Sequence, residues 1–149
     1  MGKKPTGQFE NGNNKNTFPG LLLAAGVIYL VASLLHFWHN AEFMSEYPNL
    51  PGWLTRGLVY LGWLLTLVPC LLAVLAWRGR WFVLSLALFA LWGALGYFGL
   101  DHYYIAPVSA HTAMANFTIV FELVAGTALI GCSLVFLVGF LRKREAVIS

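Results

Sequence analysis

Four long apolar runs take up most of this chain, at about residues 21–43, 54–77, 81–104 and 112–141. Each reaches the ~20 residues that a helix rising ~1.5 Å per residue needs to cross ~30 Å of hydrocarbon. In hydrocarbon a backbone must satisfy its own hydrogen bonds, which leaves helices or a closed barrel. The two-residue alternation of barrel strands is missing from these runs. The expected fold class is therefore all-α integral membrane, a four-transmembrane-helix bundle. Composition agrees: 10% of residues are charged and 59% hydrophobic, with a mean hydropathy of +0.72. A soluble domain carries roughly 25% charge.

The bases fix an expected orientation. Segments bordering one membrane face hold Lys3, Lys4, Lys15, Arg78, Arg80, Arg142, Lys143 and Arg144, whereas those bordering the other hold only Arg56. Lys and Arg accumulate on the cytoplasmic side, so both termini are expected there. The expected location is a bacterial inner (plasma) membrane. The bases lie in short flanks of apolar runs. They read as topology signals that touch lipid head groups, not as a nucleic-acid surface.

The links set the order of the helices. Trp77-Arg78-Gly79-Arg80-Trp81 is a tight turn between interfacial tryptophans. The outer links, SEYPNLPGW and IAPVSA, contain prolines that stop helices. Short links make neighbouring helices antiparallel, giving an up-down-up-down bundle. The expected organisation is a flexible cytoplasmic tail over 1–18, a transmembrane domain over 19–141 and a cytoplasmic tail over 142–149. Pro69 is expected to kink the second span. Cys70 and Cys132 lie in apolar runs and are expected to stay unpaired. Glycines such as Gly93, Gly96, Gly99 and Gly126 suit close helix packing.

All four histidines, His36, His39, His102 and His111, fall on the expected outer side, with Glu42, Glu46 and Asp101. His36 and His39 are three apart on one helix face, with Asn40 and Glu42 beside them and Tyr29 and Ser33 extending the stripe inward. In the last span His111, Thr118 and Glu122 form one stripe, flanked by Asn116. Glu122 lies roughly 15 Å along its helix, near mid-membrane, where a charge costs roughly 2.5–3.5 kcal/mol. It needs a partner, for which Tyr29, Ser33, Thr66, Tyr97 and His36 are the candidates, or else a proton of its own.

Imidazole is the commonest biological metal ligand. The expected site has His36, His39, His102 and His111 as ligands of a transition metal: zinc, iron or copper. Glu122 is the acid–base or deep-ligand candidate. Glu42, Asn40, Asp101, Tyr29 and Asn116 are the orienting partners. Each histidine taken singly reads as an interfacial hydrogen-bonder, and only the one-sidedness of the set argues for a site. A bis-histidine haem b protein and a proton-coupled carrier using Glu122 are the alternatives within this class. A different reading makes the chain a non-catalytic small subunit of a larger membrane complex, or a homo-oligomer. In architecture, four short spans with proline-bearing outer links resemble small bacterial four-span families such as the DoxX-like proteins. That resemblance implies the fold and no activity.

Overall fold

The structure is a computed structural model that describes residues 18–148. The described residues are helical throughout, apart from short links. In chain order they form α1 (Gly20–Glu42), α2 (Arg56–Thr66), α3 (Val68–Arg78), α4 (Phe82–Leu95), α5 (Asp101–Ile105) and α6 (Ala113–Ile148). A 3₁₀ turn over Gly96–Leu100 joins α4 to α5, and another, Met44–Glu46, follows α1. Four stretches are long and apolar enough to cross a membrane: Gly20–Glu42, Arg56–Arg78, Phe82–Ile105 and Ala113–Ala146. The tail expected over 1–18 lies, except for Phe18, outside the described residues. The helix of α6 continues through most of the stretch read as a C-terminal tail.

Local chemistry explains the boundaries. Pro69 stands at the start of α3, where its missing N–H is harmless, so the second apolar stretch breaks into two helices at Leu67. The Thr66 hydroxyl donates to Trp63 O at 2.7 Å beside that break. Thr55 caps α2 by accepting from Leu58 N at 3.3 Å. The end of α3 closes with Arg80 N on Trp77 O and Trp81 N on Ala76 O. That is the Schellman pattern, whose left-handed residue is usually glycine. Here Arg80 holds that place at φ 64°, although Gly79 is its neighbour.

α1 and α6 bury their polar residues among small and apolar ones and expose broad apolar faces. Along α1 the buried stripe is Leu22, Ala25, Tyr29, Ala32, Ser33, His36, His39 and Asn40. The outward face carries Leu21, Val27, Ile28, Val31, Leu34, Leu35 and Trp38. Along α6 Ala115, Thr118, Glu122, Ala125 and Ser133 face inward, while Phe117, Val120, Val124, Leu134 and Val135 face out. Water would penalise that outward surface, and hydrocarbon does not.

α6 packs along α1 and α4, α3 packs on α4, and α2 packs on α1. The α4–α6 crossing is glycine-dependent: a Cβ on Gly93 would sit 2.6 Å from Gly126 O. Aromatic and aliphatic side chains fill one end of the domain, with Phe18 stacked on Trp77 at 4.5 Å and Phe89 and Leu129 beside them. Cys70 and Cys132 are free thiols near this end.

Candidate functional site

The other end of the domain holds the histidines, and Glu122 reaches them. His36 Nδ1 lies 2.5 Å from Glu122 Oε2, and each residue is only 2% exposed. Of the partners expected for this carboxylate, the structure selects His36. Thr66 bonds its own helix, and Tyr97 shares a hydrogen bond with Thr127 on the exposed surface. Gly99 makes room for the pair, because a Cβ there would come within 3.0 Å of His36 Cε1. The third helical stretch thus passes directly against the imidazole only because it carries no side chain at that point.

Tyr47 is the residue that sequence reasoning missed. The link after α1 folds it back until it is 2% exposed. Its ring is a close neighbour of all four imidazoles. The centroid distances are 6.4 Å to His36, 5.7 Å to His39, 4.8 Å to His102 and 6.3 Å to His111. Its hydroxyl sits 2.9 Å from His39 Nδ1 and 3.5 Å from Thr118 Oγ1. Thr118 already donates to Ala115 O at 3.0 Å, so toward the phenol it accepts. Burial pushes the Tyr47 phenol up to about 12; the Thr118 bond lowers it, while the nearby carboxylates of Glu46 and Glu122 add to the rise.

The other imidazoles are held by neighbouring polar groups. His39 Nε2 faces Glu46 Oε2 at 3.7 Å. Thr112 Oγ1 donates to the same carboxylate oxygen at 2.7 Å. Asn40 Nδ2 donates to His102 Nε2 at 3.2 Å, an orienting role of the kind expected for Asn40. His111 Nδ1 donates to Pro107 O at 3.1 Å, which fixes the tautomer. Its Nε2 is then a buried acceptor with no partner. The rings of His36 and His102 are 5.5 Å apart, and those of His102 and His111 6.2 Å apart.

Other expected partners are placed differently. Asn116 accepts from Tyr103 OH at 2.9 Å and donates to Val108 O and His111 O. It therefore holds the loop that carries His111 and does not touch an imidazole nitrogen. Tyr29 is fully buried beside Gly96 and Gly126, its hydroxyl unpaired, as is the Ser33 hydroxyl on the same stripe. Glu42 is occupied elsewhere: Arg56 and the Tyr60 hydroxyl each approach its Oε1 to 2.5 Å. Asp101, expected to orient an imidazole, is exposed and bonds none of them. The reason is local. At Asp101 the chain leaves the 3₁₀ turn and re-enters a helix, which turns the acid outward while the next residue, His102, turns in.

No group of three or more His, Cys, Asp and Glu side chains is disposed to hold a metal ion among the described residues. His39 Nδ1 and His102 Nε2 are instead engaged by the Tyr47 hydroxyl and the Asn40 amide. Compared with protein families, curated proteins and solved structures, the chain matches none.

Proposed function

We propose that this is an integral membrane protein, an up-down-up-down bundle with cytoplasmic termini, whose working part is a proton-exchange site centred on His36 and Glu122. The observation that carries the reading is the buried 2.5 Å contact between those two side chains. A carboxyl and an imidazole at that distance hold one proton between them, in either of two places. Adding a second proton, or removing the shared one, leaves a net charge deep in the bundle, which is the step a proton-handling protein must control. Groups able to accept or pass on that change lie on both sides. Toward the bundle interior are the unpaired hydroxyls of Tyr29 and Ser33. Toward the rim are Tyr47, His39 and Glu46, linked in sequence from phenol to imidazole to a part-exposed carboxylate.

The test is infrared difference spectroscopy on the purified protein across a pH titration. The expected result is a carboxyl band that appears and disappears with pH, lost in Glu122→Gln and displaced in pH by His36→Gln. A carboxyl signal indifferent to both substitutions rejects the reading. It leaves the chain as a membrane scaffold or subunit.

A second reading, a transition metal at the histidine end, rests on the buried unpaired Nε2 of His111 and requires the rings of His36 and His102 to draw in toward it from the positions they hold here. A backbone carbonyl on Nδ1 is how a metal-binding imidazole is commonly held. Imidazoles sharing an ion at ~2.0–2.1 Å have ring centres roughly 5 Å apart, a little closer than the distances found here. Elemental analysis of the purified protein separates the readings: stoichiometric zinc, iron or copper, lost in His111→Ala, favours the metal. A haem b is less well suited, because the Tyr47 ring occupies the space that a macrocycle between the imidazoles requires.

A further inference from the structure

At the opposite end of the domain a groove of about 550 Å³ opens between the start of α4 and the end of α6. Arg80, Trp81, Phe82, Leu84, Phe140 and Arg144 are among its lining residues. We infer that this groove is a binding site for an anionic phospholipid, its phosphate held by Arg80 and Arg144 and its acyl chain lying along Leu84 and Phe140.

Three observations carry the inference. The first is charge. Neither Arg80 nor Arg144 has a carboxylate partner among the ion pairs of the described residues. Both are exposed, and the Arg144 guanidinium rests over the Phe140 ring at 5.9 Å from its centroid. A guanidinium placed that way keeps its donors directed away from the ring, available to a phosphate. The second is the order of chemistry along the groove. The basic residues come where the apolar stretches end, Trp81 stands beside them 67% exposed, and the groove lining that follows along α4 is apolar. Head group, interfacial ring and hydrocarbon follow one another in the same order in a lipid molecule.

The third is backbone strain. Arg80 takes the left-handed position of the Schellman turn, φ 64°, where glycine is the unstrained choice. The turn itself would be better served without a side chain. An anion at that spot gives the arginine a reason to be there.

Native mass spectrometry of the detergent-purified full chain tests this, using phosphatidylglycerol and phosphatidylcholine with identical acyl chains. The expected result is about tenfold greater retention of the anionic lipid. The Arg80→Gln, Arg144→Gln double variant should bring the two lipids to parity. An Arg142→Gln, Lys143→Gln double variant removes the same charge outside the groove and should keep the preference. Arg80→Gly relaxes the turn while removing the charge. Reduced preference in a protein that melts no earlier than the parent excludes misfolding as the cause. Preference that survives loss of both groove arginines, or falls equally in the Arg142 and Lys143 control, overturns the site in favour of diffuse surface charge. Displacement of the lipid by inorganic phosphate at equal concentration overturns it in favour of a free-phosphate site.

Discussion

The two ends of the helical domain are built from the same helices and filled with opposite chemistry. At the arginine end, α1 and α6 contribute Leu22, Ala25 and Leu129 to a core shared with Trp77, Leu86 and Phe89. At the histidine end, the same two helices contribute His36, His39, Thr118 and Glu122, and the buried apolar cluster shrinks to Tyr47, Ala115 and Ile119. Both ends are closely packed. An apolar filling needs no partners, whereas each buried polar group needs one. Packing alone therefore explains the arginine end and leaves the histidine end unexplained. The difference teaches where a function must be sought: where the fold carries polar groups that stability does not require.

The strongest way to break that comparison is to make the two ends alike. His36→Leu strands Glu122 without its partner, and removal of one member of a buried ion pair costs ~3–5 kcal/mol. The double variant His36→Leu, Glu122→Met should recover most of that loss, because apolar replacements of buried pairs are often neutral or stabilising. Leu129→Ala at the other end should cost about 2–5 kcal/mol through its cavity, and no second substitution at a polar partner rescues it. Unfolding in mixed micelles, followed by circular dichroism, measures all three. A neutral hydrogen bond between membrane helices is worth only ~0.6 kcal/mol. A loss that small in His36→Leu, with no rescue in the double variant, would make the pair an ordinary helix contact and erase the distinction between the ends.

Between the two ends lies the glycine crossing. A side chain at Gly93 or Gly126 meets the carbonyl of the facing helix, which is backbone and cannot rotate away. Gly126→Val should cost about 1–3 kcal/mol by overpacking. It should also separate α4 from α6 and so disturb both ends together. A fluorescence shift from the arginine-end tryptophans without any change at the histidine end would show that the ends are uncoupled.

The four apolar stretches were legible because ~20-residue runs have few other uses. Their internal breaks were only half legible. Pro69 announces the α2–α3 break, whereas nothing in Gly96–Leu100 distinguishes a 3₁₀ turn from plain helix. Pairing of Glu122 with a polar residue followed from its depth, and His36 was among the candidates named. Choosing between His36 and Tyr97 required knowing how α1 and the Gly96–Leu100 turn present their side chains, which hydropathy does not encode. Tyr47 was invisible for a different reason. Its burial depends on a link folding back over the helix ends, a tertiary event with no period to read. Asp101 misled for the converse reason, since residues adjacent in sequence point about 100° apart around a helix and do not face each other.

Tyr47→Phe gives a smaller effect confined to the histidine end. It removes the hydroxyl that His39 and Thr118 share, at a cost of ~1 kcal/mol. It also alters the alkaline limb of stability. The folded phenol titrates at about 12, above its ordinary value of 10. Its contribution is therefore complete below pH 10 and lost as the pH rises from 10 toward 12. The parent should lose stability more steeply than Tyr47→Phe across that window. Parallel alkaline curves would mean that the phenol is no more buried folded than unfolded.

The smallest effect sharpens the comparison most finely, because it sets one carboxylate–base pair against another. Arg56 reaches Glu42 at the same 2.5 Å that separates His36 from Glu122. Distance alone makes the two pairs equivalent. Surroundings do not: the Arg56 side chain is 64% exposed, and the His36–Glu122 pair is sealed. Solvent and salt screen the first pair, and exposed pairs typically contribute ~0.2–1 kcal/mol. Arg56→Gln should fall at the low end of that range, and raising the salt concentration should erase the difference between it and the parent. The stability of the His36–Glu122 pair, measured through the same double-variant cycle, should be indifferent to salt. If salt weakens both alike, water reaches Glu122, and the histidine end is an open vestibule in place of a sealed exchange site.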